Sequence, residues 1–364
     1  MRATSVQSQS QSLRQSCDIY YQHIGVKRRG SPLWIPEPNK KLPVSYRRMG
    51  NTIGDVGIIT DSGGFDFLFN ICLPLGHPNN PSRLPENFVP FHVESADIRE
   101  YSAFNGESYF SSASVKRSQH GGGTSGLNFE ASASKEASEG AILTMPVGLN
   151  SEDLGNIFWI RQYADANAEH WYRYINQVRG REVKNGDVRV VVGHDKTTAW
   201  GIATFSNLTA QTDSFHLKFR PVEQCTVGRI YEWEYSGTAE VRSGPHALEI
   251  AALQLGDPEQ QGAGYENQCL FVRTLNFKVR DDIWEKLESE LAELAVKDAP
   301  GYSYSDLLPS SQLPPASTTT HPSQSTTSGG GHSQFQHLPN LPTALVCQSY
   351  SCCERSQVCG FVDL

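Results

Sequence analysis

"DVGIITDSGGFDFLFNI", residues Asp55 to Ile71, decides the fold class. Phe65, Phe67, Phe69 and Ile71 alternate with Asp66, Leu68 and Asn70, the period of a strand, and "DVGIIT" supplies a second apolar run before them. Between the two runs Asp61, Ser62, Gly63 and Gly64 have hairpin turn chemistry, glycine supplying positive φ. The stretch therefore predicts two strands joined by a tight turn. Asp-Ser-Gly-Gly also surrounds the nucleophile of chymotrypsin-like proteases. Such an enzyme needs about a whole domain ahead of its serine to carry the histidine and aspartate. Only Asp18, His23 and Asp55 precede Ser62, in arm-like or turn-rich sequence, so Ser62 is read as a turn residue.

Upstream, Pro32, Pro36, Pro38 and Pro43 impose an extended run. Downstream, "GAILTMPVG" reads as a strand, and a long helix is expected from Ser151. Ser151 is its cap, with Glu152 and Asp153 at the positive end of the dipole. Ile157, Ile160, Ala164, Ala168, Trp171, Ile175 and Val178 give that helix one apolar stripe. Strand-like runs follow: "DVRVVVG", "AWGIATFS", "SFHLKFR", "GRIYEWEYS", "AEVR" and "QCLFVRTLNFKV". In the last, Cys269, Phe271, Leu275, Phe277 and Val279 face one way, with Arg273 as the exception. A second helix near 281–297 presents Ile283, Leu287, Leu291 and Leu294. The expected class is α+β: a largely antiparallel sheet packed by one long central helix, with a C-terminal helix and disordered flanks.

The 364 residues divide by composition. Residues 1–30 are expected to be a disordered N-terminal arm, 31–111 a β-hairpin segment, and 112–139 a flexible Ser/Gly-rich loop. Residues 140–299 form the α+β core, in one domain with 31–111, and 300–364 a disordered Ser/Thr/Pro-rich, cysteine-containing tail. Hydrophobic residues are 38% and charged residues 19% of the chain, low enough to require such unstructured parts.

The net charge of −8 argues against a nucleic-acid partner. It is uneven: residues 1–50 hold nine Lys/Arg against Asp18 and Glu37, a surplus of seven that leaves −15 for the rest. A basic arm of this kind docks most simply on the acidic body. No stretch approaches a membrane span, and the N-terminus lacks the apolar core of a secretory signal, so the expected location is intracellular and cytoplasmic. Peripheral membrane contact would need acylation within the Cys347, Cys352, Cys353 and Cys359 cluster, supported by the arm. Cys17, Cys72, Cys225 and Cys269 lack disulfide spacing and read as buried or free thiols.

"VVVGHDKTTAWG", Val190 to Gly201, carries the candidate catalytic residues His194, Asp195 and Lys196. A strand followed by Gly193 and Lys196-Thr197 resembles a phosphate loop, but the second glycine and the following helix are missing. An aspartyl-phosphate site would also need a Gly-Thr-Leu continuation and a second aspartate. The plain expectation is a β-turn with Asp195 and Lys196 in solvent. "HGGGT" at His120 resembles an esterase oxyanion loop, without a G-x-S-x-G elbow anywhere in the chain. Glu232 and Glu234 are paired carboxylates two apart in a strand, so Tyr231, Trp233 and Tyr235 point to the other face. An aromatic core face and a solvated acidic face are expected, with a glycan-binding surface as the functional alternative. Asp165, Glu169 and His170 read as a solvated helix flank rather than a metal site, and the sequon at Asn207 has no meaning without secretion. No cofactor and no metal are expected.

The blocks "PLWIPEPNKKLPVSYRRMGNTIGDVGIITDSGGFDFLFNICLP" (Pro32–Pro74), "EGAILTMPVG", "HWYRYIN", "NGDVRVVVGHDKTTAWGIATFSN" and "NQCLFVRTLNFKVRDDIW" resemble a family of uncharacterised proteins expanded in mushroom-forming fungi. The likeness covers about residues 32–105 and 138–298, and it implies no activity, cofactor or catalytic residue. The Ser/Gln run and the cysteine tail depart from it. The function these observations favour is a non-enzymatic intracellular interaction or signalling module with a protein partner. The alternatives are an enzyme acting on a phosphorylated or nucleotide substrate through His194, Asp195 and Lys196, and a glycan-binding module.

Overall fold

The chain begins, as far as it is described, with helix α1 (Ser16–Gly25), strand β1 (Ser31–Pro32) and helix α2 (Val44–Met49). The hairpin β2 (Asp55–Ile59) and β3 (Phe65–Asn70) follows, then β4 (Ile98–Phe104), β5 (Ser108–Ser111), β6 (Val115–Arg117) and β7 (Leu127–Ser132). Next come β8 (Gly140–Met145), β9 (Leu149–Leu154), helix α3 (Ile157–Arg173), β10 (Arg189–Thr197) and β11 (Trp200–Phe205). The remaining elements are β12 (Ser214–Pro221), β13 (Tyr231–Tyr235), β14 (Glu240–Gly244), α4 (Ala247–Gln254), β15 (Gln268–Val279), α5 (Asp281–Lys297) and β16 (Val346–Ser349). The computed structural model describes residues 14–118, 126–132, 138–206, 214–223, 228–236, 239–257, 264–297 and 346–349.

Among the described residues the named strands all pair antiparallel, and with the five α-helices described there the class is α+β. The largest sheet runs β1-β15-β10-β2-β3, and β9 continues from β10 to β4. Two four-stranded sheets, β14-β11-β8-β5 and β13-β12-β7-β6, accompany it among the described residues. β2 and β3 pair from Asp55↔Asn70 to Ile59↔Phe65, and the intervening turn is closed by Gly63 N–H donating to Thr60 O at 2.9 Å. Gly63 sits at φ +80°, and a Cβ there would lie 2.6 Å from Trp34 Cβ, so the turn takes glycine on both grounds. Ser62 is exposed at its tip, Oγ 2.9 Å from Thr60 Oγ1.

Burial explains the continuous apolar reading of β8 and β11. Ala141, Leu143 and Met145 of β8 pack with Tyr20 and Ile24 of α1 and with Leu270 and Phe271 of β15. Ile142, between them, joins Phe129, Phe205 and Phe219 on the far side, against the third sheet. A sheet covered on both faces has no polar side to show in its sequence. The largest sheet is covered on one face by α3, whose Trp171 meets Phe69 and Phe277 at ring separations of 5.9 Å each.

Three expectations need correction, and a fourth is narrowed. Ser151–Asp153 belong to β9, and α3 starts at Ile157, because the three-and-four apolar spacing that drives the helix begins there while β9 is held between β4 and β10. The arm of residues 1–30 contains α1, whose Ile19, Tyr20 and Ile24 are buried, Tyr20 and Ile24 one turn apart. The segment 112–139 contains β6 and β7, which pair with each other, β7 pairing also with β12. Within 300–364 the four residues of β16 pair with Asn276–Val279 of β15. The Ser/Gln run ahead of Arg14, the His120 motif, the Asn207 sequon, Cys225, Cys352, Cys353 and Cys359 lie outside the described residues.

The chain forms two compact units, Met1–Arg280 with Leu345–Leu364, and Asp281–Ala344. The second is represented by α5, with Asp281 and Asp282 in its first turn and Trp284 Nε1 donating to Glu288 Oε1 at 2.7 Å.

Candidate functional site

β10 carries the three candidate residues through the middle of the largest sheet, not through a turn. His194, Asp195 and Lys196 pair with Glu152, Ser151 and Asn150 of β9, and β9 pairs in turn with β4. The expected solvent exposure of Asp195 is therefore wrong: its surface is 0% exposed. A strand sends successive side chains to opposite faces. Two cross-strand rows result on each face of the β4–β9–β10 patch.

On the first face Tyr101, Ser151 and Asp195 lie in register. Asp195 is bound by two arginines and a hydroxyl. Arg29 Nε donates to Oδ2 at 2.7 Å, Arg273 Nη1 donates to Oδ1 at 2.7 Å, and Ser151 Oγ donates to Oδ1 at 2.7 Å. Arg273 also donates through Nε to Asp153 and through Nη2 to the carbonyls of Glu152 and His194, each at 2.9 Å. Gly193 makes room for this: a Cβ there would stand 2.5 Å from Asp153 Oδ1 and 2.7 Å from Arg273 Nε. Two cations and two carboxylates balance, and a buried carboxylate with two charge-assisted partners is held rather than reactive. The basic arm contributes here directly, since Arg29 follows α1 and its guanidinium also lies 5.3 Å from the Phe104 ring.

The second face carries Glu100, Glu152 and His194 in one row and Ser102, Asn150 and Lys196 in the next. His194 is 1% exposed, and neither ring nitrogen has a hydrogen-bond partner. Its Nε2 stands 3.4 Å from Glu152 Oε2 without the alignment of a hydrogen bond. Burial pushes the imidazole below its ordinary value, against the pull of Glu152, and keeps it neutral near pH 7. Lys196 Nζ donates to Met49 O at 3.2 Å. Asp195 and the pair His194, Lys196 thus belong to different faces and do not converge on one reacting centre.

A cleft of about 600 Å³ lies elsewhere, over the face of the largest sheet opposite α3. The β2–β3 turn forms one wall through Thr60, Asp61 and Gly63, and α1 forms another. Its floor includes Arg189, which donates to Asn276 Oδ1 across the β10–β15 pair at 3.1 Å. Arg14, Arg189 and Lys278 face Asp18, Asp61 and Asp187, so the lining mixes both signs of charge.

The other sequence candidates separate as follows. Glu232 and Glu234 flank Arg220 at 3.0 and 3.3 Å and are half-exposed or more, while Tyr231 and Trp233 pack on the Phe219 ring at 5.6 and 4.7 Å. Tyr235 alone of the three aromatics is exposed. Glu169 pairs with Arg173 at 3.0 Å on α3, and no group of three metal-ligating side chains occurs among the described residues. Sequence reasoning missed Arg29, Ser151 and Asp153. Arg273 is the charged exception on an apolar strand face, and that irregularity is the signal in the sequence for a buried carboxylate partner. No helix among the described residues is long and apolar enough to cross a membrane.

A scan against protein-family models and a search of curated proteins find no match for this chain.

Proposed function

We propose that this chain is a non-enzymatic module that binds another protein, in an interaction or signalling role inside a fungal cell, without a cofactor. The observation that carries the reading is the saturation of Asp195. A carboxylate held by three donors, two of them cationic, with no exposed surface is poorly basic and out of a substrate's reach, and His194 and Lys196 stand on the other face. The cleft beside the β2–β3 turn offers accessible polar and aromatic surface of a size suited to a partner's side chains. The thiols of Cys17, Cys72 and Cys269 are free, which suits a reducing compartment.

Two measurements test it. Purified protein is assayed for phosphatase activity and nucleotide binding; turnover abolished by Asp195→Asn in a folded variant contradicts the proposal. A photo-crosslinking residue at Val26, 68% exposed on the cleft rim, is compared with one at Leu248, 86% exposed on α4. A defined protein adduct from position 26 and none from position 248 is the expected result.

A further inference from the structure

The outer edge of β15 beyond β1 is closed by a strand from far along the chain. β16, four residues long, pairs with Asn276–Val279, and the whole of α5 lies between the two in sequence. The backbone bonds of β15 show which groups β16 covers. Phe277 N–H donates to Val188 O at 3.2 Å, and Phe277 O accepts from Tyr172 Oη at 2.7 Å. Val279 exchanges both its backbone groups with the Asn185 side chain, at 3.0 and 2.8 Å. A strand turns successive N–H and C=O pairs to opposite edges. Those of Asn276 and Lys278 therefore point outward, where Ser349 and Cys347 of β16 stand in register. Without β16 these four groups are an open sheet edge, a template for another strand.

Two features mark this edge as exchangeable and as part of the interaction surface. Two hydrogen-bonded residue pairs must offset the entropy of closing the long loop between β15 and β16, so the cis strand is a weak occupant. The edge also adjoins the cleft. Asn276 and Lys278 line it, whereas Phe277 turns to the other face and meets Trp171 of α3. Cross-strand neighbours share a face, so an added strand carries the side chains opposite Asn276 and Lys278 onto the cleft. Lys278 is exposed and has no ion-pair partner among the described residues. Its neighbour in β16 is Cys347; an acid at that position complements the ammonium better.

We propose that the Asn276–Val279 edge of β15 is a strand-addition site, occupied in cis by β16 and taken over by an extended segment of a protein partner with an acidic residue opposite Lys278. Ladder bonds supply the affinity, and the side chains set over the cleft supply the selectivity. β16 is then a built-in competitor that caps the edge until a better strand displaces it.

This assignment rests on the interaction reading and gives the partner a shape. The test uses the full chain and two labelled peptides spanning Thr343–Ser351 of its own sequence, one with Cys347→Ser and one with Cys347→Glu. In the chain, Cys347→Pro removes the N–H that β16 offers to Lys278, and Cys347→Ala keeps it. Cys347→Pro is expected to bind both peptides about tenfold more tightly than the wild type, with Cys347→Ala unchanged. The Cys347→Glu peptide is expected to bind about threefold better than the Cys347→Ser peptide, an advantage lost in Lys278→Gln. Hydrogen exchange at the Asn276 and Lys278 amides, faster in Cys347→Pro and slowed again by peptide while β10 stays protected, shows a folded chain with this edge alone opened. Ser349→Pro, at the other outward pair, serves as the second variant with the same expected effect. Equal affinity in wild type and proline variants, no binding to either, or two peptides bound alike overturns the assignment. None of those results touches the interaction reading, which stands or falls on the activity screen and the Val26 cross-link.

Discussion

Asp195 and Lys196, adjacent in the chain, project from opposite faces of β10: Asp195 Oδ1 meets Arg273 Nη1 at 2.7 Å, and Lys196 Nζ meets Met49 O at 3.2 Å. Their energetic roles differ accordingly. Arg29→Ala removes one charged donor from a fully buried carboxylate and is expected to cost about 1.5–3 kcal/mol. Lys196→Ala, at a partly exposed position, is expected to cost less than about 1 kcal/mol. Urea unfolding of the two variants checks the order.

The β2–β3 turn gives a paired prediction. Gly63 is at φ +80° with Trp34 2.6 Å from its virtual Cβ, whereas the nearest atom to a Cβ at Gly64 is Ile35 Cβ at 3.4 Å. Gly63→Ala therefore costs at least about 1–2 kcal/mol for the backbone conformation alone, and Gly64→Ala costs less. Thermal unfolding of both variants measures the difference.

Asp55 supplies a pH dependence. Tyr46 Oη and Thr52 N donate to Oδ2, each at 2.9 Å, and Asn70 Nδ2 donates to Oδ1 at 2.8 Å. Complete burial outweighs these bonds and raises the carboxyl from 3.8 to about 6. The folded state holds this proton more tightly than the unfolded state. The resulting stability is fully present below pH 3.8 and is lost as the pH rises through about 6. The unfolding free energy of the wild type relative to Asp55→Asn is expected to fall by roughly 3 kcal/mol across that window and to stay flat above it. A difference curve without that slope counts against the burial of an ionisable Asp55.

α1 is predicted to be integral. Ile24 is 0% exposed among Tyr20, Leu143 and Trp200. Ile24→Ala is expected to cost about 2–5 kcal/mol, measured by urea unfolding; a loss under ~1 kcal/mol would mean that the helix does not pack.

Much of this fold was legible from local pattern. The β2–β3 hairpin, β15 and α5 follow from alternation, turn chemistry and three-and-four spacing, all of which act within a few residues. α1 was not legible, because only Ile19, Tyr20 and Ile24 of its ten residues are buried and a basic, polar surround masks them. Nor was the position of α3's start, since Ser151-Glu152-Asp153 has the composition of a helix cap while its hydrogen bonds go to two strands. The Asp195 network joins residues separated by 44, 78 and 166 positions, and no local rule reports such a meeting. Only Arg273, a charge where the strand period calls for an apolar residue, gave it away.

Asp195 braces the sheet through Arg273. A double-mutant cycle over Asp195→Ala and Arg273→Ala, read by equilibrium urea unfolding, tests that role. Each single variant is expected to lose about 3–5 kcal/mol, with a coupling of at least about 2 kcal/mol between them. Single losses below ~1 kcal/mol with no coupling would contradict it.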